Sequence, residues 1–395
     1  MPTQENNNKI TNFVIVIITI IILFLVGWIV GKLNIFVQKN NDTTDNQITS
    51  QKDVLDYIQK VLAPQLIAKL EGNPTELPAL QTCTTKDNCT NEMQTPPYQW
   101  LRYAQYYHAK AFLQPIPTTE ILDDLMPYTD EEYYLKLYQY GDIILASDNI
   151  DKKYQERYLK IFDNSLHPSY FSTDEIYSYY TENNPIDKEE LLGGQITKNR
   201  NNLELATDYS NNAMTAANAY ILTKDKKYLN AINNLLSQLS TINFFESNIA
   251  NTTPNSPKNS VCHYLLASVK AYSVTQDQQY LQLNKDVILG KENYLQQVFS
   301  LNSAQIDESN SIPLHILPCL DALNLLMVED KQNFTTYDST YKIIINFLFD
   351  NKIINTNKDT DFFGMLYYKQ EYLDINASSW LIKILSEKSL FTNDE

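Results

Sequence analysis

The chain has 395 residues, with 31 Lys and Arg against 47 Asp and Glu, a net charge of −16, and only eight glycines. An acidic surface repels phosphate backbones, which argues against a nucleic-acid partner. So few glycines leave little material for phosphate-cradling loops, and no G-x-x-x-x-G-K-[ST], G-x-G-x-x-G, H-E-x-x-H or G-x-S-x-G occurs, so no cofactor or metal is expected.

Residues 1–12 read as a short polar tail. Residues 13–30 then run without a charge, long enough as a helix to reach about 27 Å, close to the thickness of a bilayer core. Trp28 and Lys32 stand where an interface anchor belongs, and the following Gly31-Lys32-Leu33-Asn34 offers no small-residue cleavage site. The segment 13–31 is therefore expected to be a single retained transmembrane anchor, followed by a polar spacer over 32–50. Only three basic and three acidic residues precede position 51, so the acidic balance belongs to the body, 51–395. That body is expected outside the cytoplasm.

Within the body, helical periodicity predicts helices near 53–70, 98–114, 118–127, 130–147, 151–163, 173–182, 202–223, 226–240, 260–274, 278–299, 314–329, 335–349 and 374–387. The run 342–349 is apolar enough to suit a strand as well. A Pro- and Thr-rich loop, 72–98, holds Cys83 and Cys89, whose six-residue separation suits a local disulfide in an oxidising compartment. Cys262 and Cys319 fall in apolar helices and read as small buried residues. Further irregular stretches at 183–201, 250–258 and around 355–370 are long enough to carry function. The 28 tyrosines suit stacking on sugars, and A/T-rich codons account for the same abundance.

A repeat organises these helices. Ala219-Tyr220-Ile221-Leu222-Thr223-Lys224-Asp225-Lys226-Lys227-Tyr228-Leu229 returns 52 residues later as Ala271-Tyr272-Ser273-Val274-Thr275-Gln276-Asp277-Gln278-Gln279-Tyr280-Leu281. A period near 50 accommodates a helical hairpin, and the shared Asp is placed to cap the second helix of each pair. A weaker copy centres on Asp330, with Phe334 as its aromatic, and Asp151-Lys152-Lys153-Tyr154 repeats the corner alone.

This A-Y-x-x-T-x-D-x-x-Y-L corner, repeated at 52 residues, resembles the α/α toroid of the six-hairpin glycosidases and related polysaccharide lyases. The resemblance implies an all-α body of about six hairpins whose inner helices converge on a cleft lined by acidic and aromatic residues, and a glycan ligand or substrate. The catalysis it implies is glycoside hydrolysis or polysaccharide cleavage. A non-catalytic scaffold, or a peptide-binding helical repeat at the cell surface, is the alternative.

Hydrolysis of a glycoside commonly uses two carboxyls about 5 to 9.5 Å apart. Asp208, early in an inner-type helix, and Asp361, beside Phe362-Phe363-Gly364, are the candidate acids, while Asp123-Asp124 reads as a solvated face. The repeat register adds His263 as a third catalytic candidate. Shifted by 52, Asn211 aligns with His263; shifted by 53 more, His263 falls beside His315. Asn211, His263 and His315 would thus approach one end of three successive inner helices, with Tyr209 and Tyr264 as stacking neighbours in ligand binding.

Overall fold

A computed structural model describes residues 50–72, 81–85, 88–91, 98–125, 137–147, 151–164, 202–240, 260–290, 293–300, 312–357, 363–368 and 372–392. The expected tail, anchor and spacer, and the expected helix at 173–182, lie outside them. Among the described residues, no helix is long and apolar enough to cross a membrane. Contacts divide the chain after Asp53. At the end of the first unit, Ser50 and Asp53 form a reciprocal cap, Ser50 N donating to the Asp53 carboxylate and Asp53 N to Ser50 Oγ.

That cap opens α1 (Gln51–Tyr57), which passes through a π turn (Ile58–Leu62) into α2 (Ala63–Gly72). A hairpin of β1 (Gln81–Thr85) and β2 (Asn88–Asn91) follows. Next come α3 (Tyr98–Ala111), α4 (Thr118–Leu125), α5 (Leu137–Ala146), α6 (Lys152–Asn164), α7 (Asn202–Thr223) and α8 (Lys226–Ser240). The chain continues through α9 (Ser260–Thr275), α10 (Gln282–Val287), α11 (Tyr294–Ser300), α12 (Ile312–Glu329) and α13 (Phe334–Asp350). A small hairpin of β3 (Tyr367–Tyr368) and β4 (Tyr372–Leu373) leads into α14 (Ile375–Thr392). The expected helix over 278–299 is thus divided, and the ambiguous run 342–349 is helical.

Packing turns this list into a closed ring. Helices α3, α5, α7, α9, α12 and α14 each touch the next, and α14 returns to α3. Helices α4, α6, α8, α10–α11 and α13 lie outside them, with α2 against α3 and the π turn Ile58–Leu62 against α14. The body is an α/α toroid. Inner helices α7, α9, α12 and α14 lack a separate polar face, and their polar side chains are buried with the apolar ones, whereas α6 and α8 are strongly amphipathic.

The repeated motif is the corner from inner to outer helix. Thr223 Oγ1 donates to Ala219 O and accepts from Asp225 N, Lys224 adopts the left-handed conformation at φ +57°, and Asp225 Oδ1 accepts from Lys227 N. Thr275, Gln276 (φ +57°), Asp277 and Gln279 N repeat every step. The left-handed residue ends one helix and the Asp starts the next.

The corner tyrosine hooks each outer helix to its predecessor. Tyr154 donates to Asp123, Tyr228 to Asp163 and Tyr280 to Asn233. At the Asp330 corner a 3-10 turn, Lys331–Asn333, intervenes. The residue in the tyrosine's role there is Tyr337, which accepts from Asn284 and donates to Asp330; Phe334 does not fill it. Asp123, read from sequence as part of a solvated face, is therefore a structural acceptor.

Cys262 and Cys319 are joined, stapling α9 to α12; the expectation of two separate buried thiols is corrected. Both are in the apolar inner layer because adjacent inner helices present them to each other, a proximity that their 57-residue separation does not reveal. The backbone register sets Cys83 opposite Cys89, while their side chains lie outside the described residues.

Two outcomes follow. Tyr228→Phe should lower stability by about 1.5–3 kcal/mol in urea unfolding, the range for a hydrogen bond to a charged acceptor, with the helical circular dichroism unchanged. Cys262→Ser/Cys319→Ser should cost up to about 4 kcal/mol, the loop-closure value for that separation, by the same measurement.

Candidate functional site

The connections are unequal at the two ends of the ring. Inner-to-outer corners are short, such as Lys224-Asp225 and Gln276-Asp277. Outer-to-inner connections are long: 73–97, 126–136, 165–201, 241–259, 301–311 and 351–374. Each of them leads into the start of an inner helix. The β1–β2 hairpin belongs to this end, and β1 touches β4.

Six of the seven sequence candidates lie on the early parts of inner helices. Asp208 falls in the second turn of α7 and His315 in the first turn of α12; their side chains lie outside the described set, as does all of Asp361. Asn211 and His263 are buried at equivalent positions of the adjacent helices α7 and α9. Asn211 Nδ2 is a buried donor without a partner among the described residues, a costly state unless something accepts from it. Tyr209 is half-buried, and Tyr264 is buried, its hydroxyl pushed up to about 12 by that burial. Next to Asp361, Phe363 packs edge-on against Tyr57, and Gly364 (φ +88°) passes so close to Ile58 that a Cβ would meet its Cγ1 at 2.8 Å.

Sequence reasoning missed what stands beside His263. Trp380 of α14 stacks on Trp100 of α3 at 4.6 Å between ring centroids and meets the His263 ring edge-on. Its Nε1 donates to Asp321 of α12 at 3.0 Å. Asp321 also accepts from Lys383 at 2.6 Å, and Lys383 reaches Glu387 one turn on at 2.8 Å. A second cluster joins it: Asp142 of α5 accepts from Tyr103, Asn218 and Lys270. Asn218 and Lys270 are themselves 52 residues apart, so one register position supplies both donors. Gly141 makes room for this, since a Cβ there would come within 2.7 Å of Asn218 Nδ2.

Asp142, Asn218, Lys270, Asp321, Lys383 and Glu387 line an axial cavity of about 270 Å³ contributed to by all six inner helices. Burial works against the charge of Lys383, but Asp321 and Glu387 more than offset it and hold the ammonium above its usual range. Burial lifts Glu387 from 4.5 to about 7, with Lys383 opposing and Asp321 adding to the rise. Signals for this cluster existed in sequence: Lys383 interrupts the apolar run 380–385, and Glu387 follows it at helical spacing.

No known protein family matches the sequence, and no curated protein matches it. Solved structures do. One is an inactive variant, with two adjacent aspartates changed to alanine, of the alpha-1,6-mannanase of Salegentibacter sp. HEL1_6 in complex with alpha-1,6-mannotetrose. It is similar at 12% identity and TM-score 0.53, over 87% of this chain and 99% of that one. Another is an unsaturated glucuronyl hydrolase specific for heparin, at 13% identity and TM-score 0.50, over 86% and 98%. The chain has the α/α-toroid fold that the six-hairpin glycosidases share.

The elevated Glu387 has a definite pH signature. A carboxyl that holds its proton more tightly folded than unfolded loses its contribution to stability as pH rises from about 4.5 through 7. Glu387→Gln removes that dependence. Relative to the wild type, the variant should gain about 1–3 kcal/mol between pH 4.5 and pH 8 in urea unfolding.

Proposed function

We propose that the protein acts on glycans at the end of the toroid where the inner helices begin. The observation that carries this reading is Asn211 Nδ2, a buried donor without a described partner, at the position equivalent to His263 beside the Trp100–Trp380 stack. A sugar hydroxyl or ring oxygen accepts from such a group. Structural similarity to a mannanase and a glucuronyl hydrolase supports the same ligand class.

Recognition is the primary activity in this reading, and cleavage is the second, favoured because both similar structures are of glycan-cleaving enzymes. The chain's single Asp-Asp doublet, Asp123-Asp124, belongs to the outer helix α4, where Asp123 holds Tyr154. Cleavage therefore calls on Asp208 and Asp361 as the carboxyl pair with His263 beside them, and binding on Tyr209, Asn211, Tyr264 and His315. We place the body outside the cytoplasm, tethered by residues 13–31; the uncharged run and the Cys262–Cys319 disulfide support this. A Cys83–Cys89 disulfide is consistent with their opposed backbone register.

Full-length protein screened against immobilised mannans and glucuronate-containing polysaccharides should retain at least one. Asn211→Ala and His263→Ala should weaken that binding about tenfold or more, the loss of roughly 1.4 kcal/mol, with the helical circular dichroism unchanged. Undiminished binding by both variants would refute this placement. Release of oligosaccharides by the wild type, abolished in Asp208→Ala, would establish cleavage.

A further inference from the structure

The axial cavity opens at the opposite end from the proposed glycan site. Its lining residues near the corners, Leu145, Ala146, Ile221, Ser273, Val274 and Leu325, are partly or fully exposed, whereas Tyr138, Met214 and Leu266 deeper in are buried. At about 270 Å³ it has the volume of roughly nine waters. Its upper wall is aliphatic; its floor is charged.

The charges on that floor do not balance. Asp142, Asp321 and Glu387 supply three carboxylates, and Lys270 and Lys383 supply two ammonium groups. Lys270 is committed to Asp142, and Lys383 is divided between Asp321 and Glu387. The wall also holds a spare acceptor. Asn218 is fully buried, both its donor contacts go to Tyr138 O and Asp142, and its Oδ1 accepts from no described residue. Excess negative charge and a free acceptor call for the same complement, a group that is both cationic and rich in N–H donors.

We infer that this cavity binds a small primary alkylamine, its ammonium group against Glu387, Asp142 and Asn218 Oδ1 and its aliphatic body along Leu266, Ile221 and Val274. The aliphatic wall favours an alkyl chain over a polyhydroxylated body, and the charge excess disfavours an anion. A cation here takes over the counter-charge that Lys383 provides only in part, so binding favours ionised Glu387 and weakens as that carboxyl protonates below pH 7. The other titratable groups facing Glu387 are Lys383 on its own helix, Asp321 of α12, Asp142 and Tyr138 of α5, Lys270 of α9, Tyr107 of α3 and Tyr341 of α13.

Isothermal titration of the full-length protein with n-hexylammonium chloride at pH 8, with 1-hexanol as the neutral counterpart, tests the inference. Hexylammonium should bind at least tenfold more tightly than hexanol, and about tenfold more weakly at pH 6 than at pH 8. Glu387→Gln should remove the preference for the amine. Ala146→Trp, at the exposed rim and away from the charged floor, should exclude both compounds while leaving thermal unfolding unchanged. Equal affinity for amine and alcohol, no binding of the amine at pH 8, or full amine binding by Ala146→Trp would each overturn it. Glycan retention by the same variants reads the other end of the toroid separately.

Discussion

The last inner helix carries the side chains on which closure of the ring depends. Trp380 stacks on Trp100 of α3, donates to Asp321 of α12 and meets His263 of α9, so one indole ties three other inner helices together. One turn later Lys383 reaches the same Asp321 from below and lies over the rings of Tyr103 and Tyr107 of α3. Without α14 the ring is an open arc with two apolar faces and an unpaired Asp321. Breaking a buried ion pair on one side leaves an uncompensated charge and commonly costs about 3–5 kcal/mol, which makes this junction sensitive to single changes.

That junction also separates the two ends of the axis. His263, near the start of α9, meets the Trp100–Trp380 stack, and the charged cavity lies further along the inner helices. The stacked rings, both buried, stand between the two environments. Asp321 accepts from both Trp380 and Lys383, so its hydrogen bonds run without a break from the stacked rings to the cavity floor.

The outer layer is assembled on a different principle. Each corner tyrosine reaches back to the preceding outer helix, Tyr154 to Asp123, Tyr228 to Asp163 and Tyr280 to Asn233. Such nearest-neighbour hooks let hairpins add one at a time, as in other repeat architectures. Among the described residues the inner layer repeats such a contact only where Asn218 and Lys270, one register apart, meet Asp142. The repeat is therefore visible in the corners and faint along the axis, where the individual chemistry resides.

The corner chemistry was legible because it is local. A Thr, a left-handed residue and an Asp within three positions specify how one helix ends and the next begins, and they do so before any tertiary contact forms. Helix periodicity was legible for the same reason, and so was the register that aligns Asn211 with His263. What tertiary structure decided was which distant residues meet. Cys262 found Cys319 rather than remaining a lone buried thiol, Tyr337 took the place expected of Phe334, and Trp100 met Trp380 across almost the whole length of the body. Hydrogen bonds within a turn depend on spacing along the chain, which the sequence prints. The axial site depends on the order in which six helices close, and a partner 280 residues away leaves no periodic trace.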